Sequence, residues 1–423
     1  MSVDRLRLTV AHNNDPELVP RLAEFGSVES VFAKMPNDLV GGGRNTYVLK
    51  ELNIQQLKSL VDQAHQNNIK FLYLLNASCL SNLELTRSYN NKLYAFVGTL
   101  VDMGVDGVVV AAPYLLDFIK RHFPSMKVSV STFAIINSIK KAKLWANRGA
   151  DRLIIMQDVN RDFTLLRKIR QAVSCELELF ANNMCVDQCP YPPFHAAFQA
   201  HASSSADSSK GFGVDYCGYN CTLRRLENPV EFLHGRFIRP EDIHLYQDIG
   251  IDVFKLSDRV KPSDWIVNAA RAYHERRYDG NLVDLISYPY LRGKGDSVLS
   301  RPAKWLLRPE LINLKILKEM AAIGQSESMV YIDNRKLDGF AEHFMKHDCK
   351  NTICGEECKH CSKFAAKAVS LDEEKAAAQI AHHKEILEMV VSRSAFESEP
   401  LLKRLSIKAV RAAMMTFGVT KLK

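Results

Sequence analysis

The sequence lacks the segments that send a protein into or across a membrane. Its first residues, MSVDRLRLTVAHNNDPE, contain no apolar signal core, and no hydrophobic run is long enough to span a bilayer. We therefore expect a cytoplasmic protein with no membrane span. Thiols stay reduced in that compartment, so clustered cysteines there indicate a metal site rather than disulfides.

A strong bias toward one sign of charge is also missing. The net charge of +8 is modest for 423 residues, and the cations occur in short runs such as Lys140-Lys141 and Lys403-Arg404. Without one long basic stripe, a solvated surface is favoured over nucleic-acid binding, although nucleic acid is not excluded. The moderate basic balance also suits an anionic small molecule, either as the substrate or as a donor.

Signatures of two common enzyme classes are absent as well. No Gly-x-Gly-x-x-Gly follows the first strand candidate, which argues against a dinucleotide-binding open sheet. No Ser–His–Asp or Cys–His spacing stands out, so the order of residues gives a peptidase no support. The chain instead repeats one pattern over its first 260 residues: a short β-branched run, polar residues, and an amphipathic stretch.

This repeated pattern predicts the fold class. Alternating strands and helices imply parallel pairing, because parallel strands need a crossover. Eight such units predict an α/β protein with a closed TIM-like (β/α)8 barrel, and an open doubly wound sheet is the competing arrangement. We place the barrel in residues 1–278 and a C-terminal, Cys-rich helical region in residues 279–423. The eight predicted strands are 6–11, 28–35, 70–76, 107–111, 127–131, 152–156, 176–182 and 252–257.

The regular spacing breaks once. About seventy residues separate the seventh and eighth strands, where about thirty are usual. This insertion, at 183–235, includes a Ser-rich piece at 202–210 that we expect to be a mobile loop. Beyond residue 278, helices are predicted at 309–322 and 371–393, and a basic amphipathic stretch at 401–417.

The insertion also holds the first of two cysteine sets. Cys185 and Cys189 form one Cys-x3-Cys pair, and Cys217 and Cys221 form another after a gap of 27 residues. Four thiols suffice for a tetrahedral zinc ion or a [4Fe–4S] cluster. The three-residue spacing and the proline after Cys189 are compatible with zinc but fit an Fe–S cluster at least as well. His195 is either a ligand or a neighbouring polar group.

The second set lies far beyond the barrel. It consists of Cys349, Cys354, Cys358 and Cys361, and it contains the Cys-x3-Cys-x2-Cys spacing of radical S-adenosylmethionine enzymes. Its position and its fourth thiol argue against that chemistry, because a fourth thiolate closes the iron that must stay open. We interpret it as a second [4Fe–4S] cluster or a zinc site, structural or electron-transferring. The remaining Cys79 and Cys175 are interpreted as small core residues.

Candidate catalytic residues follow from the barrel prediction, because chemistry in such barrels sits at the carboxyl ends of the strands. Polar residues at strand ends also simply make turns and caps, so each candidate has a plain alternative. Arg44 stands out because the three glycines before it let the backbone bring a guanidinium close to a ligand. The candidates are Arg44, Asn76, Asn182, His195, Lys255 and Arg259.

Several of these motifs together resemble the peptidase U32 family. In order along residues 5–275 they are Gly-Gly-Gly-Arg44, Leu-Leu-Asn76, the run ELFANNMC ending at Cys185, Cys189-Pro190, His195, Cys217, Cys221, FIRPED at 237–242 and GIDVFKLSDR at 250–259. The resemblance implies a TIM-like barrel with a [4Fe–4S] cluster held by Cys185, Cys189, Cys217 and Cys221. Some members are oxygen-independent hydroxylases acting in ubiquinone synthesis or on RNA bases, and others are described as collagenases.

The chain departs from those hydroxylases in its cysteine spacing and in its second cysteine set, so the resemblance does not carry over the substrate. Our hypothesis is an Fe–S enzyme that performs a redox modification, with hydroxylation as the favoured reaction. In it, Arg44, Asn76, Lys255 and Arg259 orient an anionic donor or substrate. The alternatives are a U32-type peptidase, or a non-catalytic subunit that lends a cluster to a protein partner.

Overall fold

The computed structural model describes residues 6–46, 49–182, 185–207, 213–288, 291, 313–325, 329–397 and 409. Eight parallel strands close into a barrel in which β1 pairs with both β2 and β8. All eight predicted strands are confirmed, and each ends within two residues of its predicted bounds. They are β1 Leu8–Ala11, β2 Val28–Ala33, β3 Lys70–Leu75, β4 Gly107–Val110, β5 Lys127–Val130, β6 Arg152–Ile154, β7 Glu176–Phe180 and β8 Val253–Leu256.

Helices alternate with these strands and continue beyond them. Side-chain caps fix several of their starts: the Asn53 side chain accepts from the Gln56 amide, and Asp162, Asp215 and Asp372 cap their helices in the same way. The helices are α1 Leu18–Ala23, α2 Ile54–Gln66, α3 Arg87–Asp102, α4 Pro113–His122, α5 Ile139–Asn147, α6 Phe163–Ala172, α7 Pro192–His201, α8 Tyr216–Glu227, α9 Glu231–His234, α10 Ile243–Gln247, α11 Ser263–Glu275, α12 Leu314–Gln325, α13 His360–Ala368 and α14 Glu373–Val391.

The interior of the barrel is filled by side chains in layers, as this fold requires. One layer is apolar and forms its own buried cluster of Ala11, Phe32, Leu72, Leu74, Val109, Ile154 and Phe180. Toward the amino ends of the strands lies an ionic layer. There the Arg152 guanidinium lies 2.9 Å from Glu29, 2.7 Å from Glu176 and 3.1 Å from Glu178. The barrel is therefore a packed core that leaves the carboxyl ends of its strands for a site.

The insertion between β7 and β8 packs tightly on the barrel. Ser203 is fully buried; its hydroxyl accepts a hydrogen bond from the Gly42 amide at 2.8 Å and donates to the Gln199 carbonyl at 2.7 Å. The expectation of a mobile Ser-rich loop is therefore wrong at Ser203. Its small side chain fits into the buried space and satisfies the Gly42 amide and the Gln199 carbonyl, which a larger side chain would displace. Residues 208–210 lie outside the described residues.

The C-terminal region shares its core with the barrel. Ten apolar residues between Met329 and Ala376 belong to the main buried apolar cluster. The antiparallel strands β9 (Val330–Ile332) and β10 (Val369–Leu371) lie within that stretch. A smaller cluster joins α12 and α14 to Tyr219 of α8 in the insertion. The helices predicted at 309–322 and 371–393 are observed as α12 and α14 in their described parts. The stretch at 401–417 lies outside the described residues except for residue 409.

No helix within the described part of the chain combines the length and apolar character needed to cross a bilayer.

Candidate functional site at the barrel mouth

The mouth is shaped by a glycine loop that follows β2. The Asp38 carboxylate holds this loop by accepting the Gly41 amide at 2.7 Å and the Val40 amide at 3.1 Å. It also accepts the Tyr73 hydroxyl at 2.7 Å, and the Lys34 ammonium lies 3.0 Å from it. All of these groups are buried, so the ion pair is fixed in a low-dielectric wall of the mouth.

Each glycine of the loop occupies a place where a larger residue would collide. Gly41 adopts a left-handed φ of +82°. A Cβ on Gly42 would lie 2.8 Å from the Asn76 Oδ1 and 3.0 Å from Lys34. A Cβ on Gly43 would lie 2.7 Å from the Phe133 ring. The loop therefore presses directly on Asn76, whose Nδ2 lies 3.4 Å from the Ser131 hydroxyl.

Arg44 follows the glycines and forms an ion pair across the mouth. Its Nε donates to Asp258 at 3.1 Å, and the other oxygen of Asp258 accepts the Ser287 hydroxyl at 2.8 Å. Burial alone would raise the pKa of Asp258, but Arg44 and Ser287 hold it well below the usual range. A third of the Arg44 side chain remains exposed, so its guanidinium can still meet a ligand.

Two more cations face the same space. Arg259 is 6% exposed, and burial, together with the neighbouring Arg44 charge, lowers its pKa to about 10. Burial likewise lowers the pKa of Lys34. The mouth thus contains three cations and two carboxylates, so its net charge is positive. The cations are Lys34, Arg44 and Arg259, and the carboxylates are Asp38 and Asp258. Such a site favours an anion.

Lys255 does not lie at the mouth, which corrects the prediction. It points into the barrel lumen, where its ammonium lies 3.1 Å from the buried Glu178 carboxylate and 3.9 Å from the centre of the Phe32 ring. Glu178 precedes Phe180 on β7 by two residues, so the pair lies one layer below the strand ends. A buried charge needs such a partner, which the linear order did not show.

Asn182 holds the top of the barrel together. Its Nδ2 donates to the Ser257 carbonyl and to the Leu285 carbonyl, the latter at 3.1 Å, and its Oδ1 accepts the Ser257 amide at 2.8 Å. The side chain is fully buried. Its amide is therefore engaged with the backbone, and the residue positions the ends of β7 and β8 with respect to each other.

The four thiols of the first cysteine set meet beside this mouth. Burial, together with the nearby thiols of Cys221 and Cys189, raises the pKa of Cys185 to about 12. Burial and the charges of Asp215, Cys189 and Cys221 raise the pKa of Cys217 to about 12. The four thiols therefore lie close enough to interact electrostatically, although they come from two segments that are far apart in the sequence.

Polar donors surround these sulfurs. The Gln157 amide donates to the Cys185 sulfur at 3.1 Å and is itself held by the Thr132 hydroxyl at 2.9 Å. The fully buried Arg225 hydrogen-bonds the Cys221 side chain and lies over the Tyr288 ring. Such donors stabilise thiolates, because hydrogen bonds to a charged form favour that form. Sequence reasoning missed both, although Arg225 follows Cys221 at helical spacing.

Four thiols have the number and chemistry to hold either a tetrahedral zinc ion or a [4Fe–4S] cluster. Among the described residues, His343, His347 and Cys358 are the only group of three or more potential ligand atoms within 4.8 Å of one another. No three sulfurs of the first set form such a group.

His195 contacts the insertion helix that bears Cys217 and Cys221. It lies in the first turn of α7, and its Nε2 lies 3.2 Å from Asp215, the residue that caps α8 two positions before Cys217. Burial would raise the pKa of Asp215, but His195 and the Gly218 amide lower it, with a further contribution from Arg44. His195 thus contacts the carboxylate that orients the cysteine-bearing helix.

The second cysteine set packs against two buried cations of the barrel side. Arg236 lies 2.6 Å from Asp187, in the loop between Cys185 and Cys189, and also hydrogen-bonds Cys349. Arg161 is enclosed by the Phe237, Phe340 and Phe344 rings and faces Cys361, whose pKa burial raises to about 11. The two sets are therefore neighbours in space, joined through the Asp187–Arg236 pair.

Together, these features define a TIM-barrel protein whose β7–β8 connection gathers four thiols over a cationic mouth. A family model described as peptidase family U32 matches residues 42–280, which is more than half of the chain, and the protein belongs to this family.

A relative that is 30% identical to the chain agrees with that assignment. The chain is 30% identical over 337 residues to an uncharacterized protease of Methanocaldococcus jannaschii, covering 79% of this chain and 87% of the relative. It is 23% identical over 194 residues to tRNA hydroxylation protein P1 of Bacillus subtilis, covering 43% and 44% of the two chains. A solved structure of a U32 peptidase is 21% identical with a TM-score of 0.46, and the match covers 60% of this chain and 92% of that one.

Proposed function

We propose that this protein is an iron–sulfur enzyme that modifies a substrate at the barrel mouth by oxygen-independent hydroxylation. One observation carries the proposal: Arg44 and Cys185 are both held at the carboxyl ends of the barrel strands. Arg44 donates to Asp258, which follows β8, at 3.1 Å, and Cys185 accepts from Gln157, which follows β6, at 3.1 Å. A ligand bound by Arg44 at this end of the barrel would lie near a cluster held by Cys185.

The cofactor of this proposal is a [4Fe–4S] cluster on Cys185, Cys189, Cys217 and Cys221. Four thiols and the buried donors around them support this assignment. When bound, the cluster would supply one-electron transfer to the space above the barrel. Gln157 and Arg225 would stabilise the thiolates through their hydrogen bonds.

The chain's own residues would bind and orient the reactants. Arg44, Arg259 and Lys34 would attract an anionic donor, and the partly exposed guanidinium of Arg44 offers two parallel N–H groups to a carboxylate. The buried Oδ1 of Asn76 has no hydrogen-bond partner and would accept one from the ligand. Asn182 would keep the ends of β7 and β8 in place. Lys255 would not contact the reactants and would affect the site only by balancing the charge of Glu178 in the barrel lumen.

The reaction would replace a C–H bond of the substrate with C–OH. The hydroxyl would come from an anionic organic donor, which would accept the hydrogen and the two electrons released by the substrate. The B. subtilis relative is named for tRNA hydroxylation, which supports hydroxylation and makes an RNA base one substrate to test.

The first experiment tests the cluster. The full chain, purified without oxygen and reconstituted with iron and sulfide, should bind about four irons and four sulfides at the first set and gain visible thiolate-to-iron absorption. The variant Cys185→Ser should lose them, and Cys79→Ser, which removes an exposed thiol away from both sets, should not. Tight zinc binding at the first set with no iron uptake would rule out the proposal.

The second experiment tests the reaction. Reconstituted protein is incubated with bulk tRNA and a pool of carboxylate metabolites, and nucleosides and metabolites are compared by mass spectrometry. A product heavier by one oxygen, lost in Cys185→Ser, is expected. Cleavage of a denatured protein substrate that persists in Cys185→Ser would favour the peptidase alternative. Product that appears only when a partner protein is added would favour the subunit alternative.

A further inference from the structure

We propose that His343, His347 and Cys358 bind a single zinc-class divalent ion, separate from the cysteines of the barrel insertion. Their ligand atoms all lie within 4.8 Å of one another. The proposal keeps one thiol of the second cysteine set and adds two histidines that the cysteine spacing does not reveal. It does not depend on the proposed hydroxylase function.

The distances match a tetrahedral zinc site. With Zn–N of about 2.0–2.1 Å and Zn–S of about 2.3 Å, a nitrogen and a sulfur on one zinc ion lie about 3.6 Å apart. The His343 Nε2 lies 3.7 Å from the Cys358 sulfur. That is long for strong hydrogen bonding but close to the separation that a shared ion imposes.

An unsatisfied nitrogen points to the same ion. The Nε2 of His347 is buried and has no hydrogen-bond partner. A buried imidazole nitrogen without a partner is costly, and a metal ion is one of the few groups that would satisfy it. The imidazole ring centres of His343 and His347 lie 4.6 Å apart, and one nitrogen of each ring lies within 4.8 Å of the Cys358 sulfur.

The local fold presents these ligands. His343 lies in the short 3-10 turn Glu342–Met345, and His347 follows just beyond its end, where both imidazoles come within 4.8 Å of the Cys358 sulfur. Gly355, with a φ of +89°, turns the chain so that its amide bonds the Cys358 carbonyl at 2.9 Å. His360 stacks on His343 with ring centres 3.9 Å apart, while its Nε2 is held 3.0 Å from the Phe340 carbonyl.

The donor set indicates the kind of metal. Two imidazoles and one thiolate are zinc ligands, and a fourth position left to water completes a tetrahedron. The other three cysteines have different surroundings: Cys349 and Cys361 face Arg236 and Arg161, and Cys354 is exposed. Burial raises the pKa of Cys349, Cys354 and Cys361, so these residues are stable as neutral thiols without a metal and are not required as ligands.

The test measures metal binding by the full chain. Metal-free protein is titrated with Zn²⁺ alone, and with Co²⁺ as a spectroscopic probe of tetrahedral sulfur ligation. His343→Asn, His347→Asn and Cys358→Ser should each weaken one binding site by roughly 100-fold or more, since even outer partners of a ligand are worth 10–100-fold. The X-ray absorption of the zinc form should show two nitrogens and one sulfur from the protein at this site.

Matched variants keep the proposal falsifiable. Cys349→Ser, Cys354→Ser, Cys361→Ser and His360→Asn should retain the ion, and circular dichroism should show that every variant folds. The proposal is overturned if the three other cysteines are each as necessary as Cys358 while both histidines are dispensable. Binding of four irons and sulfides by the second set, with His343 as a mere donor to Cys358, would overturn it as well.

Discussion

The two cysteine sets hold the same number of thiols but have different neighbours. The first is gathered by the β7–β8 insertion beside a mouth with three cations, and Gln157 and Arg225 donate to its sulfurs. The second lies against the barrel flank, where Arg161 and Arg236 face two thiols and two histidines approach a third. The comparison teaches that equal cysteine counts do not make equal sites, because the donors beside the thiols differ.

The largest expected effect separates the two sets directly. Cys221→Ser should lower iron and sulfide at the first set at least about tenfold and abolish the hydroxylated product, because one iron loses its thiolate. Zinc binding at His343, His347 and Cys358 should stay unchanged. Iron, sulfide and zinc are measured on the same protein sample. Parallel loss of zinc would show that the two sites form one unit.

A variant between the two sets should affect both. Arg236 is 7% exposed and bridges Asp187 and Cys349. Arg236→Gln leaves the Asp187 carboxylate without its cation and should lower the free energy of unfolding by about 3 kcal/mol. Urea unfolding measures the loss, and proteolysis should cut residues 343–361 faster. An unchanged stability would mean that the sets are independent. Lys58→Gln, at an exposed ion pair, is the control.

The mouth should respond to acid in its own way. Arg44 holds the pKa of Asp258 below its usual range, so this pair stabilises the fold above pH ~4 and the stabilisation is lost as the pH falls further. Arg44→Ala should therefore lower the free energy of unfolding by about 2 kcal/mol at pH 7, and this loss should become smaller below pH ~4. Arg44→Lys keeps the charge and should keep most of the pH dependence. Urea unfolding at pH 7 and below pH ~4 measures this loss of stability. A loss that does not vary with pH would contradict the ion-pair explanation.

The smallest effect concerns packing at the mouth. In Gly42→Ala the new Cβ would meet the Asn76 Oδ1 at 2.8 Å and Lys34 at 3.0 Å, so the loop must shift at a cost of about 1–2 kcal/mol. Gly26→Ala adds the same atom where nothing lies within 4 Å and serves as the control. Thermal unfolding compares the two. Equal melting temperatures would show that the loop yields freely.

Much of this arrangement could be predicted, and the failures have physical causes. The joint role of the four thiols of the first set stays a prediction. Cys79 is interpreted as a core residue, yet it is exposed, because a small apolar side chain gives the same sequence signal on the surface. Lys255 was placed at the mouth because a cation on an apolar strand suggests a ligand, yet its partner is Glu178 on the neighbouring strand. The buried Ser203 was missed because a serine that bonds backbone amides has the same sequence signal as one in a loop.

The sequence by itself determined the order of elements, the barrel and the grouping of cysteines, because strand periodicity, crossover length and ligand spacing are local properties. Only the tertiary structure decided which donors meet which thiol. Gln157, Arg236, His343 and His347 approach the sulfurs through packing of the insertion and the C-terminal region on the barrel. Such contacts join residues distant along the chain, and no local pattern encodes them.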